Sequence, residues 1–248
     1  MTIVEKEFGG FPFVDPGFAP TRLLTAVACC RWQRTNPGSV PAGSELSAVL
    51  TPERALTIRR LDLSLDLPFG QLSDERQVQI AQTRAYVGTL LPDWRPLLDV
   101  PLTFHQLRHS QAISSSNFAW PQHIFLAAAA FAAPTTLAEQ IVHETCHQWL
   151  YFIEEMWPLQ EDNGPRFTLP SGTGGRSASE LLGASHVVVC LHRLWSAMPA
   201  DAELRARRLA HLRAYGAGCE ALMRGAREAF TPVGQALASR LIEEIEAI

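Results

Sequence analysis

The chain has no excess of positive charge, no apolar run of membrane-spanning length and no cysteines at zinc-finger spacing. Each absence narrows the function. Net charge is −4 over 248 residues, so no basic field covers the surface and nucleic acid is not expected as the main partner. The one basic cluster, Arg205, Arg207, Arg208 and Arg213, reads as the solvated face of a helix. A bilayer span needs about 20 consecutive apolar residues, and none occur, so no membrane role is expected. The first residues, Met-Thr-Ile-Val-Glu-Lys-Glu-Phe, carry acids where a secretory signal wants bases. The five cysteines, Cys29, Cys30, Cys146, Cys190 and Cys219, leave an odd one over. Reduced thiols in a cytosol are the simplest account, and a cytoplasmic protein is expected.

The chain does have enough apolar residues, 47%, for a sizeable core, and a single domain over 1–248 is expected. Residues 1–20, rich in Gly, Pro and Phe, read as an extended arm whose Phe8, Phe11, Phe13 and Phe18 either pack on the body or sit near the site. Thr21–Thr35 has helical character, and 36–44 is a Pro/Gly loop. Thr51-Pro52 pairs an N-cap with a proline at the first helical position, opening a helix to about Leu61. Asp74 caps another, to about Leu91. Residues 100–107 read as a strand, 110–122 as a polar loop centred on Ser114-Ser115-Ser116-Asn117, and 123–126 as a second strand on a sheet edge. Ser177 or Ser179, Asp201 and Thr231-Pro232 open later helices. The class expected is α+β, mostly helical, with a metal-site core over 100–196. The helices over 200–248 carry an apolar stripe that suits packing on the core and a homodimer face equally.

His143-Glu144-Thr145-Cys146-His147 is the feature that carries chemistry. It reads H-E-x-x-H inside a segment with helical signals. Positions i and i+4 share a helix face, so both imidazoles reach one metal ion, with the acidic residue beside it. Thr136 and Glu139 have capping-box spacing, and Leu137, Ile141, Leu150 and Ile153 follow at helical spacing. The helix is expected from about Thr136 to Trp157, with Pro158 stopping it. A short sheet just before such a helix is also the pattern of zincin-like domains, an analogy of arrangement.

Two histidines seldom complete a catalytic site, which usually takes three protein ligands. The extended zinc pattern is absent, because Leu150 and Ile153 stand where Gly and a third His would be. The later candidates are Glu180 and His186. Six residues apart on one helix, they point about 120° away from each other, so one of them at most serves. Glu180 completes a two-His-one-carboxylate set, suited to zinc hydrolysis and to non-heme Fe(II); His186 makes a three-His set. Each also has a local role open to it, Glu180 as a first-turn acid and His186 as a core histidine.

The stretch from about Gln111 to Trp195 resembles the 2-oxoglutarate-dependent H-E-x-x-H-type peptide β-hydroxylases of ribosomal-peptide gene clusters. The residues that carry the resemblance are Ser114–Leu126, then Leu137-Ala-Glu-Gln-Ile-Val-His-Glu-Thr-Cys-His-Gln. Pro165-Arg166 and Arg176-Ser-Ala-Ser follow, before a hydrophobic helix. That family places a Leu-His-Gly in the helix, where this chain has Leu181-Leu182-Gly183-Ala184. Glu180 or His186 would then stand in for the missing histidine. The resemblance implies Fe(II) held by His143 and His147, and 2-oxoglutarate whose distal carboxylate pairs with Arg176 or, second, Arg166. It also implies a peptide or small-protein substrate hydroxylated on a side chain, with Glu144 either supporting the metal ligands or handling a proton. Two other readings stand beside it. A zinc peptidase would use Glu144 as general base and take its substrate by strand addition along 123–126. A non-catalytic module would bind a peptide without turning it over.

Overall fold

The computed structural model describes residues 3–59, 69–108 and 111–248. In chain order its helices and strands begin with α1 (Ile3–Phe8), α2 (Pro20–Thr35), α3 (Gly43–Val49), α4 (Pro52–Arg59) and β1 (Phe69–Gly70). Next come α5 (Asp74–Leu90), α6 (Arg95–Leu98), β2 (Thr103–Leu107), β3 (Ser114–Ser115) and β4 (His123–Leu126). The rest is helical: α7 (Pro134–Met156), α8 (Ala178–Ala197), α9 (Ala202–Gly225) and α10 (Pro232–Glu246). The chain is α+β and mostly helical, as its sequence suggests. The expected end of the helix after Pro52, near Leu61, lies outside the described residues. Contacts gather the chain into two compact units, Pro20–Met156 and Met1–Ala19 with Trp157–Ile248.

The first of these units holds the sheet, ordered β1-β2-β4-β3. Strands β2 and β4 run parallel, Thr103 opposite His123 and Gln106 opposite Leu126. Strands β1 and β3 are the antiparallel outer members. This corrects the sequence reading, which put 123–126 on the edge. All four β4 residues are buried, as suits a strand flanked on both sides. Beside β4 the edge place belongs to β3, two serines that look like loop in the sequence.

Alternation along β4 separates two faces. Ile124 and Leu126, with Phe104, meet Leu137 and Ile141 of α7 and Ile80 of α5. Each fully buried aliphatic side chain there stabilises the fold by roughly 1.5–3 kcal/mol. The other face is aromatic, with Phe69 centred 4.9 Å from His105, 5.4 Å from Trp120 and 5.0 Å from Phe125. His105 Nε2 and His123 Nδ1 lie 2.7 Å apart. Burial lowers both imidazoles, His105 to about 4, with His123 beside it as a second cause. Both are neutral at pH 7, so one nitrogen donates and the other accepts.

Helix α7 opens earlier than expected. Pro134 supplies its first turn, where the missing N–H costs nothing, and the Leu137 N–H already donates to the Ala133 carbonyl. Thr136 therefore sits inside the first turn rather than at the cap. The helix closes at Met156, two residues before Pro158. Gln148, the residue after His147, uses its amide as a strand would. Its Oε1 accepts from the Gln122 N–H at 2.7 Å and its Nε2 donates to the His123 carbonyl at 3.2 Å. Gln122 itself is fully buried with φ +66°. Its side chain donates to the Leu50 and Pro101 carbonyls and accepts from Arg31.

In the second unit α8, α9 and α10 pack together. Ser177, Asp201 and Thr231 cap them through their side chains, as their sequence positions predict. At Gly216 an added Cβ would stand 3.1 Å from Val188 and 3.3 Å from Ile245, so α9 approaches its neighbours closely there. The N-terminal segment is not an extended arm. It forms α1 and then tight turns, with Phe8, Phe11, Phe13 and Phe18 all buried. Gly9 (φ +73°) turns the chain where a Cβ would strike the Gly17 carbonyl oxygen. Arg193 donates to the Phe13 and Val14 carbonyls, and Arg240 holds Asp15 at 2.8 Å.

Candidate metal centre

Helix α7 is enclosed on most sides. Between Ile141 and Glu155 only His143, His147, Tyr151 and Glu154 reach solvent in part. They are four, four and three residues apart, a single stripe on the helix. A helix with so apolar a surround presents its two histidines at its one opening.

The two imidazoles converge. His143 Nε2 and His147 Nε2 lie 3.2 Å apart, with ring centroids at 5.0 Å and planes at 65°. Two nitrogens each about 2.0–2.1 Å from a shared ion, at a tetrahedral angle, stand about 3.3 Å apart. The pair therefore fits a metal. A carboxylate oxygen of Glu144 joins them, all three ligand atoms lying within 4.8 Å of one another. Tyr151 stacks on His147 at 6.1 Å and 15°, fixing one face of that ring.

Glu144 is only 2% exposed, and both its oxygens are engaged. Ser114 donates to Oε1 at 2.5 Å and Ser116 to Oε2 at 2.6 Å. A buried carboxylate needs such donors. Ser114 Oγ also lies 2.7 Å from Gln140 Oε1. A hydroxyl has one proton to donate, and the shorter contact directs it to Glu144 Oε1. The Gln140 amide is then turned to donate from nitrogen, an orientation that the bonding pattern assigns. Strand β3 and its flank thus reach over α7 and hold the acid of the motif.

The other residues singled out in the sequence lie in the unit formed by Met1–Ala19 and Trp157–Ile248, each with its own surroundings. Glu180 is the third residue of a capping box. Its Oε2 accepts from the Ser177 N–H at 2.8 Å and its Oε1 from Arg176 at 2.6 Å. Burial pushes its carboxyl up, but the Ser177 N–H and Arg176 outweigh that and hold it below the ordinary value. The Arg176 guanidinium is accordingly paired four residues along its own helix start. Arg166 is exposed, one residue before the Phe167–Arg176 bridge. His186 is fully buried, and its Nε2 donates to the Pro12 carbonyl at 2.8 Å. That bond puts the ring proton on Nε2.

Sequence reasoning assigned no role to Ser114, Ser116, Gln140, Gln148 or Tyr151. Tyr151 carried a signal, four residues past His147. The serines carried only their polarity. No protein-family model matches the chain, and no curated protein matches its sequence.

Proposed function

We propose that the chain is a metal-dependent enzyme of the Fe(II)/2-oxoglutarate type, hydroxylating a side chain of a peptide. The observation that carries the metal is the convergence of His143 and His147 Nε2 at 3.2 Å on the open stripe of α7. The observation that favours an oxygenase over a hydrolase is the clamp on Glu144. Both its oxygens accept from serines, which suits an acid that orients the site more than a base that must take a proton from water. Bound iron with 2-oxoglutarate and dioxygen supplies the two-electron oxidation of a C–H bond.

The chain's own residues bind and orient. His143 and His147 hold the metal, Tyr151 steadies the His147 ring, and Ser114 and Ser116 fix Glu144. One observation favours a second reading, a zinc peptidase: Glu144 Oε1 is 3.8 Å from His143 Nε2, near enough to act beside a metal-bound water.

Anaerobic purification with metal analysis tests these readings, followed by succinate formation from 2-oxoglutarate. The proposal expects Fe(II)-dependent succinate formation, abolished in His143→Ala and His147→Ala. Bound zinc with peptide cleavage lost in Glu144→Gln selects the peptidase. A chain that binds neither metal, and whose melting temperature neither metal raises, sinks both readings and leaves a peptide-binding module.

A further inference from the structure

Glu155, near the end of α7, is buried among three guanidiniums. Arg31, 1% exposed, grips it with two bonds of 3.0 and 2.6 Å. Its remaining donors go to the Val49 carbonyl and Gln122 Oε1. Arg34 donates to the Glu155 backbone carbonyl at 3.2 Å and stands 3.7 Å from its carboxylate. Arg59 is different. Its contact with Glu155 is long, 3.8 Å, and its Nε is buried without a hydrogen-bond partner among the described residues. Its guanidinium lies over the Phe118 ring, 4.1 Å from the centroid, and 21% of its side chain faces solvent.

The charges around it do not cancel. Glu155 and Glu154 attract Arg59, while Arg31 and Arg34 repel it, and burial is the largest influence lowering its pKa. The buried Nε lies out of an anion's reach, but a part-exposed guanidinium with one long ion pair among like charges is stabilised by an anion on its solvent-facing side. The Phe118 ring meets the guanidinium through its π face, a contact that uses none of the N–H donors. Phe118 in turn meets Tyr151 edge-on at 5.8 Å, and Tyr151 stacks on His147. Aromatic contacts therefore run unbroken from Arg59 to the histidine pair.

We propose that Arg59, on its Phe118 shelf, is an anion receptor that takes a ligand's carboxylate. That carboxylate belongs either to a small free acid or to an acidic side chain on a peptide. The receptor needs no metal at His143 and His147, so failure of the iron reading leaves it standing.

Titration calorimetry on the full chain at low ionic strength decides it. The probes are succinate and a short glutamate peptide with both ends blocked. At least one binds the wild type, and Arg59→Gln weakens that binding about tenfold or more, as loss of a charge-assisted paired bond does. Arg207→Gln, exposed on α9, leaves it unchanged, and His143→Ala retains it. Succinate alone binding identifies a free small acid; the blocked peptide binding as well identifies a peptide-borne one. Binding of neither probe, or an Arg59→Gln chain with wild-type affinity, overturns the proposal. Should Arg59→Gln fail to give a folded circular-dichroism spectrum, Phe118→Leu decides instead. It keeps the guanidinium and removes its shelf, and unchanged affinity overturns the proposal.

Discussion

Ser114 and Ser116 hold the one acid of the metal motif, and their value is measurable. Truncating either to Ala leaves a carboxylate oxygen of Glu144 buried without its donor. Each change is expected to lower unfolding stability by about 1–3 kcal/mol, read from urea denaturation with an unchanged slope. A double variant within half a kcal/mol of wild type would show that the clamp does not form. At this scale the sequence was readable where the partners are local. His143, Glu144 and His147 sit within five residues, so helix geometry alone brings them together. The capping box of Ser177 and Glu180 is likewise local, though the sequence leaves Ser177 and Ser179 both open as the helix opener. The serines were not assigned to Glu144, because 28 and 30 residues separate them from it. Their meeting depends on β3 pairing with β4, which no local pattern announces.

Among the elements, one side-chain amide ties α7 to the start of β4. Gln148 pairs with the N–H of Gln122 and the carbonyl of His123, anchoring the start of β4 to the helix that carries the histidines. Gln148→Leu keeps the bulk and strands both backbone groups, at an expected cost of about 1–3 kcal/mol. Hydrogen exchange at the Gln122 amide should accelerate in step; protection equal to wild type would refute the anchor. Element ends followed the same rule of legibility. Asp201 and Thr231 cap α9 and α10 through bonds to residues two or three along. The start of α7 was misplaced because two valid signals overlap, Pro134 at the first position and Thr136 with Glu139 behind it. The bonding of Leu137 to Ala133 shows that the proline prevails. The cap of α5 slipped by one for a similar reason, since Ser73 and Asp74 are adjacent and the serine hydroxyl accepts the Arg76 N–H.

For the whole molecule, the neutral pair His105 and His123 gives stability a pH dependence. The folded imidazole of His105 gains its proton only near 4, whereas the ordinary value is 6.5. Unfolded chains therefore bind more protons between those values, and stability falls as pH drops from about 6.5 towards 4. Melting temperatures between pH 7.5 and pH 4.5 check this. His105→Phe should flatten part of that acid slope, and an unchanged slope would rule the pair out as its source. This pair was invisible in the sequence because it joins residues 18 apart on parallel strands. The broad class, α+β and mostly helical, was legible from helix caps and apolar spacing. The division into two compact units was not, since each unit's core is built by contacts distant in sequence.

The narrowness of β3 sets a limit on any peptide that approaches the sheet. With β4 flanked on both sides, the rim next to Glu144 is two residues long. A guest strand laid there gains only one or two main-chain hydrogen bonds, each worth about 1 kcal/mol net. Such a guest dissociates quickly unless its side chains find pockets of their own. Recognition on this rim would rest on what the guest carries rather than on its backbone, and its dwell time would change sharply with single side-chain replacements.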